Sequence, residues 1–257
     1  MPLPLSRAVA PHLELLPETG STNAELVARA SSSPHFSVIV TTSQTAGRGR
    51  LGRTWVAPPG KTIAVSVLLV LPTQEPSGLG WVPLLAGLAM TRAVRSLVSE
   101  HEVSLKWPND VQVDGLKVSG LLAELVPGVG VVVGAGLNLT MTEDELPTPV
   151  STSLTLVGVP DDGIVDRALA AYLRELHDLF EPFAAGGMDA TTLAPAVVAA
   201  TGTIGRRVRV ELPGEDDLYG TATGIDSAGR LVIDGARAIA AGDVTHLRYW
   251  AGEGRED

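Results

Sequence analysis

The segment Ser43-Gln-Thr-Ala-Gly-Arg-Gly-Arg-Leu-Gly-Arg-Thr-Trp55 decides how the chain is read. It sets three glycines (Gly47, Gly49, Gly52) and three arginines (Arg48, Arg50, Arg53) within seven consecutive residues of a protein whose formal net charge is -10. Glycine permits tight backbone and leaves N–H groups uncovered, and the arginine guanidinium is a planar fork of donors suited to carboxylate and phosphate oxygens. The stretch therefore reads as an anion-cradling loop. Its glycines match G-x-G-x-x-G, but a dinucleotide fingerprint must open directly into a helix whose N-terminus holds the pyrophosphate. Here a strand over Phe36 to Thr42 precedes, and Arg53-Thr-Trp55, the breaker Pro58-Pro-Gly60 and the β-rich run Thr62 to Leu71 follow. Strand, long loop, strand speaks against a Rossmann or Walker-type site. A kinase glycine loop also joins two strands, but H-R-D and D-F-G motifs are absent.

Outward from this loop the pattern is that of an α+β protein. The 257 residues, 45% hydrophobic and 19% charged, are enough for one large unit or one plus a small one. Ser21-Thr-Asn-Ala-Glu25 reads as a helix start, with Thr22 and Glu25 in capping-box spacing. Lys61 to Leu71 suits the interior of a sheet, and Trp81 to Val98 has the apolar spacing of a long helix. Pro72 to Gly80 between them reads as a loop. Val103 to Lys106, Val111 to Val113, Leu116 to Val126 and Val129 to Leu139 predict an antiparallel meander, turned at Asp114-Gly115 by a two-residue hairpin. Asp162 to Phe183 is an amphipathic helix and Ala190 to Ala200 a shorter one. From Ile204 the strands shorten: Arg207 to Leu212, Leu218 to Ile225, Leu231 to Ile233, Arg237 to Ala240 and Leu247 to Trp250 predict a small barrel of about fifty residues, with a disordered tail over Gly252 to Asp257.

Composition removes several function classes. There is no cysteine, which excludes disulfides, thiolate metal sites and cysteine nucleophiles. His12, His35, His101, His177 and His246 lack ligand-like spacing, so a metal would arrive with a nucleotide. Pro2, Pro4 and Pro11 break the N-terminal stretch, which has no signal-peptide h-region, and no apolar run approaches the roughly 18 residues of a membrane helix. A cytoplasmic protein is expected. A nonspecific nucleic-acid binder needs a broad basic surface, whereas a basic loop in an acidic chain points to a small anionic ligand. Lysines on strands are usually edge or snorkelling residues. Lys106 and Lys117, however, both interrupt strands beside Asn109 and Asp110, and Gly134-Ala-Gly-Leu-Asn138 ends the meander with small residues that admit a close approach.

Five ordered motifs, Ser21-Thr-Asn23, Gln44 to Trp55, Lys106-Trp-Pro-Asn-Asp110, Lys117-Val-Ser-Gly-Leu-Leu-Ala-Glu124 and Gly134 to Asn138, resemble the biotin protein ligases. The small C-terminal barrel is similar to that family's too. The resemblance implies a class II synthetase-like mixed sheet flanked by helices over 1–200, binding biotin and ATP, and an SH3-like barrel over 203–251. It implies formation of biotinyl-5'-AMP from biotin and ATP, with Mg2+ on the ATP phosphates and no protein metal ligand, then transfer to a lysine of the biotin carboxyl carrier domain of an acyl-CoA carboxylase. Ser21, Thr22, Asn23, Gln44, Arg48, Gly49, Arg50, Lys117 and Gly120 would hold biotin. Arg48, Arg50, Arg53, Trp55, Lys106, Asn109, Asp110 and Asn138 would hold ATP or the adenylate, with Arg50 and Lys117 catalytic and Asp110 the candidate to orient or accept the amine proton. Only twenty residues precede Ser21, too few for the winged helix-turn-helix domain of some members, so a ligase without sequence-specific DNA binding or membrane attachment is expected, as monomer or weak dimer. Two alternatives stay open, a lipoate or octanoyl ligase and a noncatalytic biotin-binding protein. The paired arginines and K-W-P-N-D favour biotin over lipoate, and retention of both Arg50 and Lys117 speaks against a pure binder.

Overall fold

The structure is a computed structural model, described here over residues 2–55, 57–71, 76–186, 190–212, 216–240 and 243–246. From the N-terminus the elements are α1 (Pro4–Val9), β1 (Leu13–Leu15), α2 (Thr22–Arg29), β2 (Val38–Thr41), β3 (Gly47–Arg48), β4 (Thr54–Trp55), β5 (Thr62–Val70), α3 (Pro76–Leu79) and α4 (Val82–Leu97). There follow β6 (Val103–Lys106), β7 (Asp110–Val113), β8 (Leu116–Val126), β9 (Gly130–Asn138), α5 (Ile164–Ala184) and α6 (Ala190–Ala200). The last five are β10 (Arg207–Glu211), β11 (Leu218–Ile225), β12 (Leu231–Ile233), β13 (Arg237–Ile239) and β14 (Asp243–His246).

The larger sheet has the order β1-β2-β5-β9-β8-β7-β6. Its β1–β2 pair is parallel and every other pair antiparallel, which makes it mixed and bears out the expected meander. Asp114 and Gly115 both have positive φ (49° and 79°), as a two-residue type I′ turn demands. Side-chain alternation along the two central strands then assigns the faces. Ile63, Val65, Val67 and Leu69 of β5, with Val131, Val133, Ala135 and Leu137 of β9, join the main core with α4 and α5. The intervening Ala64, Ser66, Leu68, Val132, Gly134 and Gly136 point to the other face, where α2 lies.

On that second face Leu26, Ala30, Ile39, Leu68 and Val132 make a small separate core. Eight residues are too few to hold a helix in water alone, so α2 depends on this contact and on its cap. The cap differs from the expectation. Ser21, not Thr22, is the N-cap, with extended backbone and its hydroxyl accepting from Ala24 N at 3.4 Å. Thr22 is thereby the first helical residue and its hydroxyl is released for other bonds, while Glu25 accepts from Thr19 Oγ1 instead.

The Gly/Arg segment is also more ordered in pattern than a long loop. β3 and β4 pair as an antiparallel ribbon, Gly47 with Trp55 and Arg48 with Thr54, around a tip in which Leu51 and Gly52 have positive φ. The sequence reading contains neither α1 nor β1, and α3 falls inside the expected loop 72–80. The second sheet has the order β13-β12-β11-β10-β14, all antiparallel. Val208, Val210, Ala222, Leu231, Ile233 and Val244 supply its interior. Its last strand is Asp243–His246; the expected strand over 247–250 and the tail over 252–257 lie outside the described residues.

Candidate active site

The site grows from the second face of the larger sheet, where alternation leaves small and polar side chains. Ser66, fully buried in the middle of β5, places its hydroxyl 2.5 Å from Asn23 Oδ1 and 2.8 Å from Thr22 Oγ1. Asn23 Oδ1 can only accept, so the Ser66 proton goes to it. The Gln44 carbonyl oxygen accepts from Thr22 N at 3.0 Å and lies 3.3 Å from Thr22 Oγ1, tying the start of α2 to the segment after β2. Asn23 Nδ2 donates to Glu124 Oε2 at 2.6 Å and to Leu122 O at 3.3 Å, both on β8. Gly134 makes room for this amide: a Cβ there would run into Asn23 Oδ1 and fall 2.8 Å from its Cγ.

The arginine ribbon crosses beside this network. Arg48 Nη1 is 3.5 Å from Glu124 Oε1. Arg50 Nη1 donates to Asn109 Oδ1 at 3.1 Å, and Asn109 is itself fixed by a bond from its Nδ2 to Leu121 O at 2.9 Å. Trp55 lies over two glycines. A Cβ on Gly136 would fall 2.8 Å from Trp55 Nε1, and one on Gly120 3.1 Å from Trp55 Cζ3 and 3.0 Å from Lys117 Nζ. The indole Nε1 is buried against Gly136 and has no hydrogen-bond partner among the described residues. A register shift in the β7–β8 pairing, Val111 opposite Ser119 but Gln112 opposite Lys117, bulges β8 at Val118. Lys117 Nζ ion-pairs with Asp110 Oδ1 at 2.7 Å and stands 5.8 Å from the Trp55 ring centroid, within cation–π range.

These groups line one cavity: Ser21, Thr22, Asn23, Gln44, Arg48, Gly49, Arg50, Arg53, Trp55, Asn109, Asp110, Lys117 and Gly120 all reach it. Lys106 does not; it lines an adjoining polar cavity with Arg53, Asn109, Asp110 and, from the second sheet, Glu211, Val244 and Thr245. Asn138 reaches neither. It is buried at the end of β9 and donates to Thr152 O at 2.9 Å, leaving its Oδ1 without a partner. Ser66 and Glu124 were not among the expected site residues, although Glu124 closes a quoted motif.

A hydrogen-bonded chain joins the second sheet to the segment beside this site. Trp107 N donates to Thr203 Oγ1 at 3.1 Å, and Thr203 Oγ1 lies 2.9 Å from His246 Nε2 on β14. The Thr203 hydroxyl, with one proton and two lone pairs, meets the neutral imidazole as donor or as acceptor. Burial, and then the charges of Lys106 and Arg206, push His246 down to about 4 and keep it so.

The cavity thus offers guanidinium and ammonium groups, a polar amide–hydroxyl network and a carboxylate beside a lysine, the equipment for handling an acidic small molecule and a phosphate together. The chain belongs to the biotin/lipoate ligase family: residues 16–138 match the family described as "Biotin/lipoate A/B protein ligase family", and 203–247 match "Biotin protein ligase C terminal domain". It is 42% identical over 245 residues to the biotin–[acetyl-CoA-carboxylase] ligase of Mycobacterium tuberculosis, covering 92% of this chain and 89% of that one. It is 32% identical to the Paracoccus denitrificans protein of the same name, over 86% of this chain and 93% of that one. Among solved structures, the biotin protein ligase from Aquifex aeolicus in complex with biotin and ATP superposes with a TM-score of 0.71 at 27% identity, covering 92% of this chain and 99% of that one.

Proposed function

We propose that the chain activates biotin with ATP, giving biotinyl-5'-AMP and pyrophosphate, and transfers the biotinyl group to a lysine of the biotin carboxyl carrier domain of a biotin-dependent carboxylase. The observation that carries this reading is the convergence of Ser21 to Asn23, the arginine ribbon, Lys117 and Asp110 on one cavity. The relatives' names support the substrates. Residues 1–200 hold the chemistry in this reading, and 203–251 form the SH3-like C-terminal domain. ATP and a carboxylase as partners fit a cytoplasmic location. The acidic net charge of -10 fits recognition of small anions by a local ribbon better than recognition of DNA.

In the first step a biotin carboxylate oxygen attacks the α-phosphorus and pyrophosphate leaves. Two anions approach and negative charge builds at phosphorus, so cations already fixed in place supply most of what the protein can contribute. Arg48, Arg50 and Lys117 take that role, with Ser21, Thr22, Asn23, Gln44, Gly49 and Gly120 holding the biotin. Arg53, Trp55, Asn109 and Asp110 border the nucleotide, and Lys106 joins them from the adjoining cavity. Asn138 acts in this reading as support for β9, its amide being committed to Thr152. In this reading Mg2+ would arrive with ATP and be held on its phosphates.

In the second step the carrier lysine attacks the acyl carbon, a C–N bond forms, the bond to the phosphate oxygen breaks and AMP leaves. The amine, with a free pKa of about 10.4, must lose a proton. In this reading Asp110 takes it once Lys117 has turned from Asp110 to the anionic ligand; their 2.7 Å ion pair supports the pairing. An Asp110→Asn variant should release pyrophosphate at near the wild-type rate and transfer more slowly; transfer at the wild-type rate removes Asp110 from this role. The whole reading is tested by pyrophosphate release with ATP, Mg2+ and either biotin or lipoate, followed by mass analysis of a carrier domain. Release and one added biotin support it; lipoate-only release transfers it to the sister substrate; biotin binding without release leaves a binder.

A further inference from the structure

Glu124 stands behind the cavity and joins its two halves. One carboxylate oxygen accepts from Asn23 Nδ2 at 2.6 Å, and the other faces Arg48 Nη1 at 3.5 Å. Asn23 is 4% exposed; its amide nitrogen is taken by Glu124 and Leu122, while its oxygen accepts from Ser66 and can accept one bond more. Arg48 projects from the ribbon that spans the cavity, and its backbone is paired to Thr54.

We propose that Glu124 is a positioning residue that latches the arginine ribbon to the biotin-binding end of the cavity, setting the Asn23 amide with one oxygen and holding Arg48 across the ligand with the other. This rests on the ligase reading above. The two contacts differ in strength. A hydrogen bond to a charged acceptor from a buried donor is worth about 10- to 100-fold in an equilibrium, whereas a half-exposed ion pair at 3.5 Å is worth about 2- to 5-fold. The Asn23 contact therefore governs biotin affinity, and the Arg48 contact governs how long the ribbon keeps the activated intermediate in place.

Two variants separate these effects. Glu124→Gln keeps an acceptor for Asn23 and removes the charge facing Arg48. With a neutral acceptor in place of a charged one it should bind biotin about threefold more weakly than wild type, and release biotinyl-5'-AMP about 2- to 5-fold faster, with a weaker salt dependence of that release. Glu124→Ala loses both contacts and should bind biotin about tenfold or more weakly. The measurements are biotin titration calorimetry and the dissociation rate of preformed adenylate at two salt concentrations, each beside the wild type. Wild type that forms no adenylate refutes the ligase reading itself, and the calorimetry still tests the Asn23 contact. Wild-type dissociation and salt dependence in Glu124→Gln, or slower dissociation, which would make Glu124 a competitor for Arg48, overturns the latch. So does full biotin affinity in Glu124→Ala.

Discussion

Replacing Gly134 by Ala tests the packing that builds the site. The added methyl would sit against Asn23 Oδ1 and 2.8 Å from Asn23 Cγ, so the amide must move by about an ångström or the strand must yield. Overpacking of this kind costs about 1–3 kcal/mol, and loss of the bond to the Glu124 carboxylate adds about 1.5–3 kcal/mol. Alanine gives back about 0.5–1 kcal/mol as a stiffer strand residue. A net loss of about 1.5–5.5 kcal/mol should lower the melting temperature by roughly 3–20 °C. Biotin affinity should fall at least about tenfold, because Asn23 is displaced with its partners. Gly128→Ala is the control. Gly128 has φ of 76° with open space around it, so alanine strains only a turn, at about 1 kcal/mol, and should leave biotin binding intact. Thermal unfolding and calorimetry on both variants decide the matter. A Gly134→Ala protein with wild-type melting and wild-type affinity would refute the claim that Asn23 is held against β9.

Three further outcomes follow from particular atoms. Lys117→Met should bind biotin and slow pyrophosphate release by about 10²- to 10³-fold, the usual loss when a charge-stabilising group is removed, as read by single-turnover kinetics. Tyr172→Phe should be neutral or raise the melting temperature, since the fully buried hydroxyl has no hydrogen-bond partner and its removal leaves the packing in place. His246 is lowered to about 4 by burial, so the unfolded chain takes up its proton first; the stabilisation is complete above about pH 6.5 and is lost between about 6.5 and 4. After allowance for its partial exposure this is about 1–2 kcal/mol, and urea titrations of His246→Gln against wild type at pH 7.5 and 4.5 should show the difference between them shrink at the lower pH.

The sequence made the larger sheet legible because apolar alternation and the Asp114-Gly115 turn are local signals. The site was legible because its cations and glycines break those patterns. Ser66 escaped notice as one small polar residue inside an apolar strand. Its signal was parity, since it lies out of phase with Ile63, Val65, Val67 and Leu69 and so had to point away from the main core. Glu124 carried a similar mark, in phase with Gly120 and Leu122 on β8. The capping box at Thr22 and Glu25 had the right spacing and the wrong register by one residue, because Gln44 and Ser66, distant in sequence, claim the Thr22 amide and hydroxyl. Pro4 read as a breaker but occupies the first turn of α1, where a missing N–H costs nothing. β1 is three residues long and exists through its parallel pairing with β2, which no local pattern encodes.

The pairing of charges around the cavity bears on how the two steps are coupled. Several cations crowded at one site repel one another, by about 4 kcal/mol for a pair at 4 Å in a medium of effective dielectric near 20. In the structure they do not stand exposed to that repulsion. Arg48 faces Glu124, Lys117 is bonded to Asp110 and Arg50 rests on the Asn109 carbonyl oxygen. An anionic substrate therefore enters by drawing Lys117 from Asp110 and Arg50 from Asn109, while Glu124 keeps Arg48 across the ligand, rather than by filling a bare positive pocket, and the gain is the difference between two pairings. That difference is small for each contact, so tight holding requires several exchanges at once, and a carboxylate and an α-phosphate bound together can satisfy them. The same exchange uncovers Asp110 only after Lys117 has turned to the ligand. In the proposed mechanism the base for the transfer step is thus withheld until the activated acyl group is in place, an ordering that arises from the 2.7 Å Lys117–Asp110 contact without a moving domain.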